Sequence, residues 1–162
     1  MRMKLMYCVV AVLSVFAPWS ADAALELDFP PATVCDRKVP DSPELRFPDG
    51  FKATVAFSVD LSKVNAKSNF ANLFCKGSNF HSGYCVMVRK DGRILVDVKG
   101  LSPQYYITAS AEIKSMRETL LEVYVTKSVV RIFIDGKEAE SYPHSGKIGY
   151  ADVTAPLTVG SM

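Results

Sequence analysis

The chain has 162 residues, 22% of them charged and 49% hydrophobic, with 19 basic against 17 acidic side chains. That is the length and composition of one globular domain. A net charge of +2 gives none of the concentrated positive field with which nucleic-acid-binding domains meet phosphate, so no nucleic-acid partner is expected.

Arg2 and Lys4 precede an apolar run from Leu5 to Ala17, which Pro18 ends, and Ala21-Asp22-Ala23 places small residues where signal peptidase needs them. A run of about 13 apolar residues falls short of the roughly 20 needed to span a bilayer as a helix. Residues 1–23 are therefore expected to be a signal peptide cleaved after Ala23, and residues 24–162 a secreted or periplasmic domain. Cys8 lies inside the apolar run, which argues against a lipoprotein anchor, and no later segment has the length and apolarity of a membrane span. Processing removes Trp19, the sole tryptophan, and leaves 17 basic and 16 acidic side chains with Cys35, Cys75 and Cys85.

From Leu25 onward the pattern is short strands and turns. Leu25, Leu27 and Phe29 alternate with Glu26 and Asp28 until Pro30-Pro31, whose missing N–H groups end a ladder. Residues 30 to 43 carry four prolines, Cys35 and Asp36-Arg37, and form the longest stretch with no strand pattern. Leu45-Arg46-Phe47 reads as a short strand before a turn at Pro48-Asp49-Gly50. Phe51, Ala53, Val55, Phe57, Val59 and Leu61 then alternate with Lys52, Thr54, Ala56, Ser58 and Asp60, the clearest half-buried strand in the chain. Its apolar face must meet a second layer.

Cys75 and Cys85 flank the nine-residue stretch KGSNFHSGY between two strand-like runs. In an oxidising compartment they are expected to pair, closing a loop of about ten residues and adding roughly 2.5–3 kcal/mol. The alternative is a pair of buried free thiols; Cys35 is left over in either case. Tyr84 to Val98 reads as a hairpin turning at Asp91-Gly92, Tyr105 to Ser110 as a strand, and Ala111 to Glu118 as at most a turn or two of helix. Leu121, Val123 and Val125 alternate with Glu122, Tyr124 and Thr126. After a weak turn at Lys127-Ser128, Val130, Ile132 and Ile134 alternate with Val129, Arg131, Phe133 and Asp135. Asp135-Gly136 supplies the two positive-φ positions of a type I′ turn, and Lys137 to Ser141 returns as a polar edge strand. Leu157 to Gly160 is the last strand. Short strands with turn signals every roughly 8 to 12 residues, and no room for crossover helices, define an all-β fold, an antiparallel β-sandwich or jelly roll.

The series LRFPDGFKATVAFSVD, NLFCKGS, GYCVMVRKDGRILVDVKG, LLEVYVTKSVVRIFIDGKEAES and APLTVGSM resembles the strand sequence of laminin G-like domains in the concanavalin A-like lectin superfamily. The resemblance covers Leu45 to Met162, and its most specific pieces are the IFIDGK hairpin followed by PLTVGS. It implies two curved antiparallel sheets in an exported protein that binds glycans or proteins. Two features depart from the family pattern: the strand at Phe51 to Leu61 has no tryptophan, and the chain stops at Met162, where such domains add one more strand. A jelly roll short of its closing strand has an open sheet edge, which favours self-association unless Leu25 to Phe29 covers it.

β-Glucanases of the same superfamily carry a three-acid strand motif whose carboxylates act as nucleophile and acid/base. Glu26-Leu27-Asp28-Phe29 imitates its start, but Pro30 and Pro31 follow where a third acid is needed, so Glu26 and Asp28 read as a solvent face. His81 and His144 have no spacing that recommends a catalytic triad or a metal cluster, and no enzyme activity is expected. Candidate ligand-binding residues are aromatic and amide groups on loops: Asn79, Phe80, His81 and Tyr84 around the cysteine pair, Tyr105 and Tyr106, and Tyr142 with His144. Such groups can stack on sugar faces and hydrogen-bond sugar hydroxyls; the competing reading packs the tyrosines at the rim of the core. Many family members hold calcium, but Asp91 and Asp135 are explained by their turns and Asp152 stands alone, so no cofactor is placed. The expectation is an exported recognition module for glycan. The alternative is a structural or protein-protein interaction domain, or a fragment of a larger multidomain secreted protein.

Overall fold

The computed structural model describes residues 9–14, 24–27, 37–47, 50–64, 67–78, 82–103, 106–146 and 154–161. Its strands, in chain order, are β1 (Val9–Ser14), β2 (Ala24–Leu27), β3 (Arg37–Val39), β4 (Phe51–Phe57), β5 (Phe70–Ser78), β6 (Ser82–Arg89) and β7 (Arg93–Val98). They continue with β8 (Leu101–Ser102), β9 (Tyr106–Glu112), β10 (Thr119–Val125), β11 (Val129–Ile134), β12 (Lys137–Pro143), β13 (Ser145–Gly146) and β14 (Leu157–Ser161). Among the described residues, helix is confined to two 3-10 turns, Pro43–Leu45 and Leu61–Lys63, and no helix is long and apolar enough to cross a membrane. One antiparallel sheet runs β12-β11-β10-β4-β1-β2 and the other β3-β14-β5-β6-β7-β9, with a small β13-β8 ladder beside them. The protein is an all-β sandwich.

Period-two patterning is what builds the two layers. In β4 burial alternates residue by residue, and its core-facing Phe51, Ala53, Val55 and Phe57 stand opposite core-facing residues of β10, such as Leu121 opposite Val55 and Val123 opposite Ala53. The second layer answers with Phe74, Val86, Val88, Ile94 and Val96, all fully buried. Removing each such side chain from water contributes about 1.5–3 kcal/mol. The layers are pinned where Phe51 meets Tyr84 at 4.9 Å and Phe74 at 6.4 Å between ring centroids, with Phe47 5.7 Å from both Phe51 and Tyr84.

The β10-β11-β12 meander forms with the turn expected for it: Asp135 and Gly136 have φ of 51° and 76°. The Asp91-Gly92 turn differs. Gly92 is at φ 84° while Asp91 is not among the positive-φ residues, and Gly92 N–H donates to Arg89 O at 2.9 Å. The connection is therefore a three-residue loop ending in a left-handed glycine, a standard solution for hairpins of this length. Gly92 O in turn accepts from Ile113 N–H, so the following loop packs against the turn.

Four expectations are corrected. Leu45-Arg46-Phe47 is not a strand; Pro43 starts a 3-10 turn, with Leu45 N–H donating to Ser42 O, and Leu45 and Phe47 remain buried. The proline-rich stretch holds a strand after all, because Arg37–Val39 pairs with β14. Since β14 also pairs with β5, Leu157 to Ser161 is not an open edge, and its apolar Leu157 and Val159 are buried. Finally, KGSNFHSGY is mostly ladder: Lys76, Gly77 and Ser78 pair with Tyr84, Gly83 and Ser82. Cys75 and Cys85 stand directly opposite each other and are bridged, with S–S 2.07 Å. Their side chains pack with Met87, Leu95 and Phe70 in a small cluster separate from the main core. Cys35 lies outside the described residues.

Lys76 is fully buried. Its ammonium is paired with Asp41 and donates to Ala155 O, while Asp41 also binds Arg46. A buried ammonium is tolerated only with such complete pairing, and here the pairing ties β5 to the segment before the 3-10 turn and to the approach to β14. Lys76, and then Arg46, hold the Asp41 carboxyl below its ordinary value.

A Cβ on Gly83 would lie 1.8 Å from Lys76 O, whereas one on Gly136 would meet nothing within 4 Å. Gly136→Ala is thus expected to cost only the left-handed strain of about 1–2 kcal/mol, and Gly83→Ala several-fold more, read as urea midpoints. The depressed Asp41 carboxyl contributes stability that is complete above the ordinary carboxylate value of 3.8 and is lost as pH falls through its lower folded value. Asp41→Asn should therefore lower the melting temperature at pH 7 and reduce its fall on acidification below pH ~4, measured by circular dichroism.

Candidate ligand-binding face

The loop aromatics do not assemble into one site. Asn79, Phe80, His81 and Tyr105 lie outside the described residues. Tyr84 is 1% exposed, its ring inside the Phe47-Phe51-Phe74 cluster and its hydroxyl donating to Leu45 O at 3.3 Å; burial pushes its phenol far above the ordinary tyrosine range. Its surface is spent on the core. Tyr142 is half-buried on β12 against the same core. His144 is buried, with Nε2 3.0 Å from Thr126 O and its backbone N–H on Ser128 O, so it ties the β10-β11 turn to the end of β12. Tyr106, on the outer strand β9, is the one exposed tyrosine of the set among the described residues.

What the fold does bring together is the outward face of β4, β10, β11 and β12. Alternation sends Lys52 and Thr54, Glu122 and Tyr124, and Arg131 and Phe133 away from the core. Register then aligns them in two rows. Lys52, Tyr124, Arg131 and Ser141 are successive cross-strand neighbours, and so are Thr54, Glu122, Phe133 and Glu138. The second row depends on a register shift in the β11-β12 ladder, which sets Glu138 beside Phe133 and leaves Ala139 buried, its carbonyl accepting from the Ser110 hydroxyl of β9 at 2.6 Å.

Tyr124 and Phe133 meet edge to face, 5.4 Å between centroids. Lys52 Nζ lies 4.8 Å from the Tyr124 ring centre and 3.1 Å from Glu122 Oε1. The same Oε1 accepts from the Tyr124 hydroxyl at 3.0 Å. Arg131 Nε is 3.9 Å from Glu138 Oε2 on the other side. Interaction with the Tyr124 phenol, and then with Glu122, raises the Lys52 ammonium above its ordinary value against the opposing effect of burial, so it is a firm cation. Exposed ion pairs contribute only about 0–1 kcal/mol each and an aromatic pair about 0.5–1.5, small beside the core. The arrangement is an apolar ring surface flanked by two cations and two carboxylates, all mounted on strands. Among the described residues no group of three or more histidine, cysteine or acidic side chains is placed to hold a metal ion.

The members of this face on β4, β10 and β11 were visible in the sequence as the outward partners of alternating strands, while Glu138 and Ser141 lie on a strand legible only as polar. The signal that would have found it is cross-strand register. The β10-β11 hairpin fixes Tyr124 opposite Arg131, but Lys52 arrives from a strand far away in the chain and its neighbour is decided only by the sheet.

No protein-family profile matches the chain, and neither does any curated protein. Among solved structures it is similar to the binding domain of botulinum neurotoxin DC in complex with rat synaptotagmin II, with 9% identity and a TM-score of 0.41. The match covers 94% of this chain and 43% of that one. It is also similar to botulinum neurotoxin type C, whose cell entry depends upon interaction with two ganglioside molecules, with 9% identity and a TM-score of 0.34, covering 93% and 45%. The chain spans less than half the length of these neurotoxin structures.

His144→Ala should remove the tie between the β10-β11 turn and β12 at a cost of about 1–2 kcal/mol. Faster amide exchange confined to Thr126–Val129 and the end of β12, measured by mass spectrometry, is the expected signature.

Proposed function

We propose that this protein is an exported recognition module, similar to laminin G-like domains, that takes a glycan on the outward face of β4, β10, β11 and β12. The observation that carries the reading is the Tyr124-Phe133 pair set between Lys52 with Glu122 and Arg131 with Glu138. Aromatic rings offer a flat apolar surface for the C–H face of a pyranose. Carboxylates and guanidinium groups beside them accept from and donate to adjacent ring hydroxyls. Mounting these groups on paired strands means little conformational entropy is lost when a ligand arrives. Two cations are balanced by two carboxylates on the face, which suits an uncharged sugar better than a sulfated one. The reading assigns no catalytic step and needs no metal.

A glycan array probed with the exported, processed protein tests this. Binding to one class of neutral sugar is expected, reduced at least tenfold by Tyr124→Ala and by Phe133→Ala, while Tyr106→Ala on the other sheet leaves it unchanged. Unaltered binding by a correctly melting Tyr124→Ala variant would remove this face from the reading. A blank array alongside a captured extracellular protein would favour the protein-interaction reading instead.

A further inference from the structure

The sheet that holds β4 contains a strand that the export reading removes. β1, Val9–Ser14, lies between β4 and β2, pairing with both, and it belongs to the apolar run of the expected signal peptide. Cleavage after Ala23 would take β1 away and leave β4, the best-patterned strand of the domain, paired with β10 on one side but without a neighbour on the other along Lys52 to Phe57. A vacated edge of that kind, with a core-facing apolar row and no proline or bulge, does not stay empty.

Register identifies what fills it. Leu13 stands opposite Ala53 on one side and Leu25 on the other; Ala11 stands opposite Val55 and Leu27; Val12 stands opposite Thr54 and Glu26. β2 is thus aligned with β4 across the slot, Leu25 with Ala53, Glu26 with Thr54 and Leu27 with Val55. Both strands are antiparallel to β1 and so parallel to each other. We propose that, once the leader is removed, Ala24–Leu27 moves inward by one strand spacing and pairs in parallel with β4. This rests on the export reading above. The displacement is about 4.8 Å and needs no reversal of the segment. Leu25 and Leu27 enter the rows of Ala53 and Val55, which face the core, and Glu26 enters the outward row of Thr54. A parallel pair is slightly weaker than an antiparallel one, but the segment is tethered to the domain, and its effective concentration, on the order of millimolar, exceeds that of a second copy. The leader strand is then a placeholder, and the mature N-terminus completes the sheet that carries the ligand-binding face.

The test is a proximity bridge in the exported chain carrying Glu26→Cys with Thr54→Cys, with Thr54→Cys alone as control. Flanking β1, the two positions are separated by two strand spacings, roughly 10 Å, beyond the about 7 Å limit for bridging. Paired directly, they are within it. N-terminal sequencing reports processing, and peptide mapping reports the bridge. A product beginning at Ala24 with an intramolecular 26–54 bridge is the expected result. A product that retains residues 9–14 overturns the export reading and this proposal together. A processed product without the bridge, or one joined between chains through position 54, overturns the proposal alone. Amide exchange on the unsubstituted processed protein gives an independent readout: protection throughout Lys52–Phe57 in a monomer is expected, and rapid exchange of alternate amides there would rule the pairing out.

Discussion

The rest of this structure depends on the burial of one face of β4. Phe51, Ala53, Val55 and Phe57 are at most 2% exposed, and a sheet face that apolar is stable only beneath a second layer. That requirement sets the sandwich. Phe51 reaches across to Tyr84 and Phe74 of the opposite sheet, and Phe47 fills in from the segment just before the strand. The opposite, polar side of the same strand supplies Lys52 and Thr54 to the outward face. Core and candidate site are therefore two consequences of one alternating sequence.

Polar groups inside the sandwich are arranged to keep that burial intact. Lys76 shares the core-facing side of β5 with Phe74, and its charge is met by Asp41, which also binds Arg46, and by a backbone carbonyl. The clip holds in place the segment that leads into Leu45 and Phe47, two of the apolar residues beside Tyr84. The Tyr84 hydroxyl ends on Leu45 O, so the ring that looked like a surface feature closes the core from within. On the other side of the domain, the Ser110 hydroxyl on Ala139 O joins β9 to β12 and brings the outer strands of the two sheets together.

The face of Lys52, Glu122, Tyr124, Arg131 and Phe133 shows how a candidate binding surface can be assembled on strands rather than on loops. Its groups lie on central strands, where rotamers are limited by cross-strand neighbours, and the shared Glu122 carboxylate fixes both Lys52 and Tyr124. The shift in the β11-β12 ladder adds Glu138 to the pattern.

By itself the sequence determined the fold class, the β10-β11-β12 meander and its positive-φ turn, and the alternation of β4, and it favoured the Cys75–Cys85 bridge over two free thiols. These are encoded in short-range signals: period-two patterning, Asp-Gly at a turn, and two cysteines on adjoining strands. Only the tertiary structure decided that Arg37–Val39 pairs with β14, because a three-residue strand among prolines has too few alternations to register and gains its pairing from a neighbour more than a hundred residues on. It also decided that Tyr84 is core, since the choice between a rim and an interior tyrosine rests on which residues of the other sheet lie above it. The candidate face followed the same logic: sequence said which side chains point outward, and sheet register, a long-range property, said which of them are neighbours.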